Sequence, residues 1–296
     1  KLRTSFTPPT FVQIGDQSFG QVTKTELDKL DTAWSDVSLD DAQDSLHNVE
    51  KAKTKLEAAK KTLQADGVQF PIHLDLPVSS TQTDFVRQAQ SYKQSIEEAL
   101  GAENVVVDIQ QVSDDELGSM TVLATSKDNI DWDINPNSGW SPDYADPSTY
   151  LDAFDPTSGP TLLGALGIAP GSDSSAIKAV GLDKYKELLD DANSEKTDLE
   201  KRYSKYAKAQ AWLTDSALII PVNSDGAQML VTKKVPGTGA DGWVGDKTGE
   251  NSYKYLKIQD KIVTSKEMEE FRKKFAEEKA KSNEEYQKQL SSHIKD

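Results

Sequence analysis

The amino-acid sequence predicts an α/β fold, and three neighbouring patterns favour this class. Apolar and polar residues alternate over 68–76, which is the period of a β-strand with two different faces. Apolar residues then recur at helical spacing over 83–100, and the apolar run 105–109 that follows is typical of a buried strand. A strand, a helix and a second strand in this order predict a βαβ unit with parallel strands and a right-handed crossover.

The elements before this unit are mainly helical. Residues 1–22 show no periodicity and are expected to be extended chain and turns, and a short helix is expected around Leu27 and Leu30. A longer helix is predicted over 48–65, where apolar residues recur every three or four positions and form one stripe.

The sequence also predicts a strand edge, a helix cap and a buried helix face in and directly after the βαβ unit. Pro71 has no N–H to donate to a ladder, so one side of the first strand is expected to be an edge. A capping box at Ser113 and Glu116 opens a further short helix after the second strand. The residues of the helix over 83–100 that we expect to face inward are Phe85, Ala89, Tyr92, Ile96 and Leu100.

Helices and then strands are predicted for the rest of the chain. Asp146 and Pro147 are typical of a helix start, because Asp caps the first turn and Pro suits its first position. Two helices are expected over 181–192 and 198–215, the second opened by the capping pair Thr197 and Glu200. The second helix is expected to bury Leu199, Tyr203, Tyr206 and Leu213.

Three strands are expected next, over 217–222, 229–231 and 253–258. The last 32 residues, 265–296, carry eight Lys or Arg and eight Asp or Glu, and they predict one long helix on a surface.

Composition excludes several classes of function. The 296 residues are enough for a buried core and about two domains, and without cysteine there is no disulfide, no thiolate metal site and no cysteine nucleophile. His47, His73 and His293 lie far apart, so neither a zinc site nor a Ser-His-Asp triad is expected. A net charge of −15 disfavours nucleic acid as a partner.

Neither a membrane span nor a signal peptide is expected. No apolar run approaches the length of a spanning helix, and the basic start at Lys1–Phe6 is not followed by an apolar stretch.

The segment 130–147 is the most unusual part of the sequence. It contains Trp132, Trp140 and Tyr144 together with four aspartates and Gly139. Aromatic rings and a carboxylate are typical of a pocket that binds a cationic group, whereas the alternative is core tryptophans among turn-forming aspartates. Asp143 and Asp146 could instead be a pair of hydrolytic carboxylates, although a helix cap explains Asp146 better.

The run Gly-Trp-Ser-Pro-Asp-Tyr-Ala-Asp-Pro at 139–147 resembles a known family. It is similar to the peptide-binding class of extracellular solute-binding proteins, which serve ABC importers, and most of all to streptococcal oligopeptide-binding lipoproteins. The stretches 48–53, 67–75, 104–111 and 209–221 agree in the same order, so the resemblance spans nearly the whole chain.

The resemblance implies that this segment contacts peptide. Asp143 matches the residue that pairs with the peptide α-ammonium, and Gly139 and Ser141 match positions whose backbone bonds an extended peptide as an added strand. Trp140 matches a ring that lines a side-chain pocket, and the implied set extends to Tyr144 and Trp132.

The resemblance also implies an organisation. Family members are longer, so the chain resembles their C-terminal half, without the part that would carry the lipid-anchored cysteine. Residues 1–228 are expected to form most of the second lobe, a type II periplasmic-binding-protein-like lobe of βαβ units with a mixed sheet flanked by helices, lacking its first helix. Residues 229–296 are expected to return to the first lobe and to end in the helix 265–296.

The expected function is therefore binding rather than catalysis, at the extracellular face of the membrane, with oligopeptides and an ABC permease as partners. We expect a monomer with no cofactor and no metal. Two alternatives stay open. One is a hydrolase that uses acidic residues, although no nucleophile–base pair supports it; the other is an interaction or adhesion module with an acidic surface.

Overall fold

The computed structural model describes residues 2–39, 46–136, 138–224, 231–238 and 256–293. By their contacts, Lys1–Ser141 and Asp146–Asp225 form one compact unit, and Pro142–Ala145 and Gly226–Asp296 form a second. The strands are β1 Gln13–Ile14, β2 Gln17–Ser18, β3 Ile72–Ser79 and β4 Val105–Val112. The helices are α1 Phe19–Leu30, α2 Val49–Ala65, α3 Thr83–Leu100, α4 Asp114–Met120, α5 Ser148–Leu151, α6 Leu162–Leu166, α7 Ser174–Ala179, α8 Leu182–Ser194, α9 Leu199–Ser216 and α10 Ser265–His293.

The predicted βαβ unit is confirmed. Strands β3 and β4 pair in parallel from Ile72 opposite Val105 to Ser79 opposite Val112, and α3 makes the crossover. The first strand begins later than expected, because Ile72 carries the first N–H after Pro71 and donates it to Asn104 O at 2.8 Å.

The core of this unit lies between α3 and the strands. The inward orientation expected for Phe85 is wrong: this ring is 39% exposed, and Val86 packs against the core in its place. The buried members of this cluster are Leu76, Val78, Ala89 and Val107, with Tyr92 and Ile96 packed against them.

On the outer edge of each strand, backbone groups near the middle already have hydrogen-bond partners. On β4, Val107 N donates to Glu97 Oε1 at 3.0 Å, and Val107 O accepts from Lys93 Nζ at 2.6 Å. On β3, Asp75 O accepts from Asp133 N at 2.9 Å and from Ile134 N at 3.0 Å. Backbone groups that a further strand would use are therefore already paired at these positions.

The main core of the first unit is helical. α1 packs along α9, which also packs against α8, and the buried side chains between them include Phe19, Leu151, Leu182, Tyr185, Leu189, Tyr206 and Leu213. The helix expected around Leu27 begins earlier, at Phe19, because Ser18 and Gln21 form a capping box that the prediction missed.

Helix α9 confirms the helix expected over 198–215, but its cap differs. Asp198 is the N-cap and accepts a hydrogen bond from Lys201 N at 3.0 Å, so the expected pair Thr197 and Glu200 is not the cap. Leu199 is 48% exposed, contrary to expectation, because it lies on the first turn, whereas Tyr206 and Leu213 are buried.

The strand expected over 217–222 is wrong. Helix α9 ends at Ala217 in the left-handed conformation, with φ 54°, and no strand is assigned to the described residues that follow. Arg3 N donates to Val222 O at 3.0 Å, and Asn223 forms an isolated bridge with Leu2. Of the other two expected strands, 229–230 and 253–255 lie outside the described residues. Val231 is in no assigned strand, and Ile258 forms an isolated bridge with Lys234.

The second unit contains α10, which confirms the predicted C-terminal helix. None of its side chains is buried, and ion pairs such as Lys288 with Glu284 at 2.6 Å follow its surface. Glu267 and Phe271 in its first turns line a pocket together with Val235 and Val263. Over the described parts of the chain, we find no helix with the length and apolarity of a membrane span.

Candidate functional site

Trp132 supports the segment that leads into the candidate site. Its ring is half-buried, and Nε1 donates to Met120 O at 2.6 Å. Nearby, Asn135 Nδ2 donates to Gly164 O at 2.7 Å. The two contacts tie the segment to the end of α4 and to α6, so the polar tip of Trp132 is used within the protein.

Trp140 is held in a similar way. Its half-buried ring packs against the main helical core, and its Nε1 donates to Thr149 O at 2.6 Å. This bond joins the two ends of a short loop over 140–149. The ring therefore anchors the loop to the core, whatever further surface it offers to a ligand.

Gly139 and Ser141 lie beside this anchor and are both exposed. A β-carbon built on Gly139 meets no described atom within 4 Å, and the residue does not have a positive φ. Neither space nor backbone conformation within the described chain therefore requires glycine at this position. A requirement would have to come from a molecule that approaches the backbone.

Asp143 and Tyr144 are half-buried, and they belong by their contacts to the second unit. Trp132, Gly139, Trp140 and Ser141 belong to the first unit. The six residues predicted for the site are therefore adjacent along the chain but are divided between the two units.

Asp146 precedes α5, but the expectation that it caps this helix is wrong: the N-cap is Pro147, and α5 begins at Ser148. Asp146 Oδ1 accepts from Ser148 N at 3.0 Å and from Ser148 Oγ at 2.6 Å. Arg202 Nε donates to Asp146 Oδ2 at 2.9 Å, and Arg202 Nη2 donates to Oδ1 at 3.2 Å. Burial acts to raise the pKa of Asp146, but the bonds from Arg202 and Ser148 outweigh it and lower this pKa. An ionised carboxylate with all these donors is a structural group, which disfavours its use as a hydrolytic acid.

Arg202 is the residue that sequence reasoning missed. Besides Asp146, it donates to Ala192 O at 3.1 Å and Glu195 O at 3.2 Å, which are carbonyls at the end of α8. Its guanidinium lies 4.9 Å from the centre of the Tyr206 ring. The partners lie far apart along the chain, and no local motif marks the pair.

Asp152 is a second missed residue, and it follows α5 directly. Its Oδ1 is buried and has no hydrogen-bond partner. Burial is the main cause that raises the pKa of Asp152 to about 6; the charges of Asp155 and Asp146 add to the rise, while a hydrogen bond with Asn193 opposes it. The Asp152 carboxyl group is therefore about half protonated near pH 6.

In the part of the chain that the structure describes, no group of three His, Asp or Glu side chains is arranged to hold a metal ion. His73 is 60% exposed in its side chain and pairs through Nδ1 with Asp108 Oδ2 at 2.7 Å.

Comparison with known proteins places these features in a family. Oligopeptide-binding protein SarA of Streptococcus gordonii is 50% identical over 295 residues, a match that covers 99% of this chain and 44% of SarA. Oligopeptide-binding protein AliA of Streptococcus pneumoniae is 49% identical over 296 residues, covering 99% of this chain and 45% of AliA. A solved peptide-binding protein of a peptide ABC transporter is 21% identical with a TM-score of 0.49, covering 74% of this chain and 78% of that one.

The chain spans less than half the length of these two curated relatives. Residues 8–161 match the family described as "Bacterial extracellular solute-binding proteins, family 5 Middle", and this range contains both the βαβ unit and the segment 139–147. The match covers more than half of the chain and confirms the resemblance inferred from the sequence. The chain therefore belongs to the family 5 bacterial extracellular solute-binding proteins.

Proposed function

We propose that this chain is part of the substrate-binding component of an oligopeptide ABC importer. The observation that carries the proposal is the identity of about half of all residues to SarA and AliA, both named oligopeptide-binding proteins, over 99% of the chain. Membership of a solute-binding family supports binding rather than catalysis as the activity.

The proposed ligand is an extended peptide that lies along 139–141. Gly139 and Ser141 are exposed, and space beside the Gly139 α-carbon would let a second backbone approach. Backbone hydrogen bonds do not depend on the peptide sequence, so they suit a receptor for many peptides. Asp143 would pair with the peptide α-ammonium and set its register, while Trp140, Tyr144 and Trp132 would line the surroundings.

The proposed setting follows from the same family membership. The receptor would act at the extracellular face of the cell membrane and deliver peptide to an ABC permease, as a monomer. A lipid anchor would hold the receptor at the membrane. Residues 1–228 would form most of one lobe, and 229–296 would return to the other.

Isothermal titration calorimetry with an oligoalanine peptide tests the proposed function. The unaltered chain, Asp143→Asn and the control Asp131→Asn are each titrated with the peptide and with its N-acetylated form. Asp131 is exposed in the same segment and carries the same charge, so it accounts for the general attraction of a chain of net charge −15 for a cationic ligand.

We expect Asp143→Asn to weaken binding of the free peptide by about 1.5–3 kcal/mol, which is the usual value of a hydrogen bond to a charged group. N-acetylation should weaken binding to the unaltered chain equally, and Asp131→Asn should change neither affinity. Equal affinity of the unaltered chain for both peptides would remove Asp143 as the anchor, and no binding of either peptide would overturn the proposed function.

A further inference from the structure

We propose that Arg202 is a positioning residue for the peptide site: through Asp146, it fixes the end of the loop that carries Asp143. The proposal rests on the proposed function, because it assigns Arg202 a role in the site to which Asp143 belongs.

Two contacts hold the ends of this loop. At the N-terminal end of the loop, Trp140 Nε1 donates to Thr149 O at 2.6 Å. At its C-terminal end, both carboxylate oxygens of Asp146 accept hydrogen bonds from Arg202. The chain after Asp146 is buried from Pro147 to Leu151. Residues 141–145 connect the two contacts, and Asp143 lies at their centre along the sequence.

Arg202 is itself held in place, so it can act as a fixed point. Its side chain is 14% exposed, and Nη1 donates to the carbonyls of Ala192 and Glu195 at the end of α8. Nη2 also reaches the Tyr206 hydroxyl at 3.1 Å. Every nitrogen of the guanidinium is used, and the planar fork of arginine is what allows one side chain to serve all these acceptors.

The position of the loop end depends on this charge pair. The Asp146 side chain is 20% exposed, so without the guanidinium its charge would be poorly solvated, and the neighbouring charge of Asp152 would repel it. The start of α5 would then relax toward solvent, and the backbone that leads from Asp143 to α5 would shift. A displaced carboxylate at 143 would select less well for a peptide with a charged amino terminus.

The readout is the ratio of affinities for free and N-acetylated oligoalanine peptide, measured by calorimetry. The variants are Arg202→Lys, which keeps the positive charge but loses the fork, and Asp146→Asn, which removes the charge from the other partner. Lys205→Ala is the matched control, because Lys205 also bridges α9 to α8 through Asp191 Oδ1 at 2.7 Å and does not contact the loop. Thermal unfolding followed by circular dichroism verifies that each variant folds.

We expect the ratio to fall at least about fivefold in Arg202→Lys and in Asp146→Asn, and to fall no further in the double variant, because both act through one contact. Lys205→Ala should keep the ratio of the unaltered chain. An unchanged ratio in both loop variants, or an equal fall in Lys205→Ala, would overturn the positioning role while the proposed function stands. Absence of any peptide binding by the unaltered chain would overturn both.

Discussion

Asp152→Asn removes a carboxyl group that the folded chain holds with one oxygen buried and unpartnered. The pKa of Asp152 rises from 3.8 to about 6 on folding, mainly through burial. The folded state therefore binds more protons than the unfolded state between these values, and the free energy of unfolding falls as pH rises from about 4 to about 6. In Asp152→Asn this contribution is absent, so the fall should be smaller.

The size of the effect follows from the shift. A rise of about two pKa units corresponds to about 3 kcal/mol. Asp152 is only partly buried, so solvent screening reduces the expected contribution to about 1–2 kcal/mol. The charged groups that face it are Asp155, Asp146 and Arg202, and their opposing effects are included in the shift.

Urea unfolding of both proteins at a series of pH values from 4.5 to 7.5 measures this difference. Tryptophan fluorescence is a suitable signal, because Trp34, Trp132, Trp140 and Trp212 lie in the first unit, as does Asp152. The stability of Asp152→Asn relative to the unaltered chain should rise by about 1–2 kcal/mol across this range. The pKa of Asp146 is lowered from its ordinary value of 3.8, so this carboxylate stays charged over the measured range in both proteins. Parallel stability curves would show that the protonation of Asp152 does not change on folding.

Two further predictions concern single positions. Gly139→Ala should leave the unfolding temperature unchanged, because the added β-carbon meets open space. It should weaken binding of oligoalanine peptide about tenfold if a peptide backbone packs against this position. Unchanged affinity in calorimetry would contradict close packing of a peptide at Gly139. Asp198→Ala should lower the free energy of unfolding in urea by about 1 kcal/mol, because the Asp198 side chain accepts from Lys201 N and caps α9. Thr197→Ala should lower it less. Equal losses of stability would favour the capping pair expected from the sequence.

Elements marked by local signals were predictable. The βαβ unit, α2 and α10 follow from periodicity, and a helix start close to Asp146 and Pro147 follows from that dipeptide, because these patterns depend only on neighbours in the sequence. The strand expected over 217–222 failed for the opposite reason. Its apolar residues favour a strand, but a strand also needs a partner that accepts its hydrogen bonds, and Ile220 is 73% exposed.

The candidate site was also only partly predictable from patterns among neighbouring residues. The aromatic and acidic residues of 130–147 identified the segment, and the prediction that Asp143 binds an α-ammonium came from the resemblance. Arg202 and the orphan oxygen of Asp152 were missed, because their importance arises where α5, α8 and α9 meet. Asp146 was expected to be a cap, a position that Pro147 takes, and its charge pair with Arg202 was not predicted.

The pairing of Val107 with Lys93 and Glu97, and of Asp75 with Asp133 and Ile134, has a consequence for ligand choice. A receptor of the proposed kind must not offer extended peptides a second, unselective strand partner, because peptides would then join any open sheet edge. With these positions filled, the βαβ sheet presents no continuous ladder to an incoming strand. The same arrangement discourages two copies of the chain from joining through their sheets, so the βαβ unit can serve as a scaffold for the peptide site proposed at 139–143.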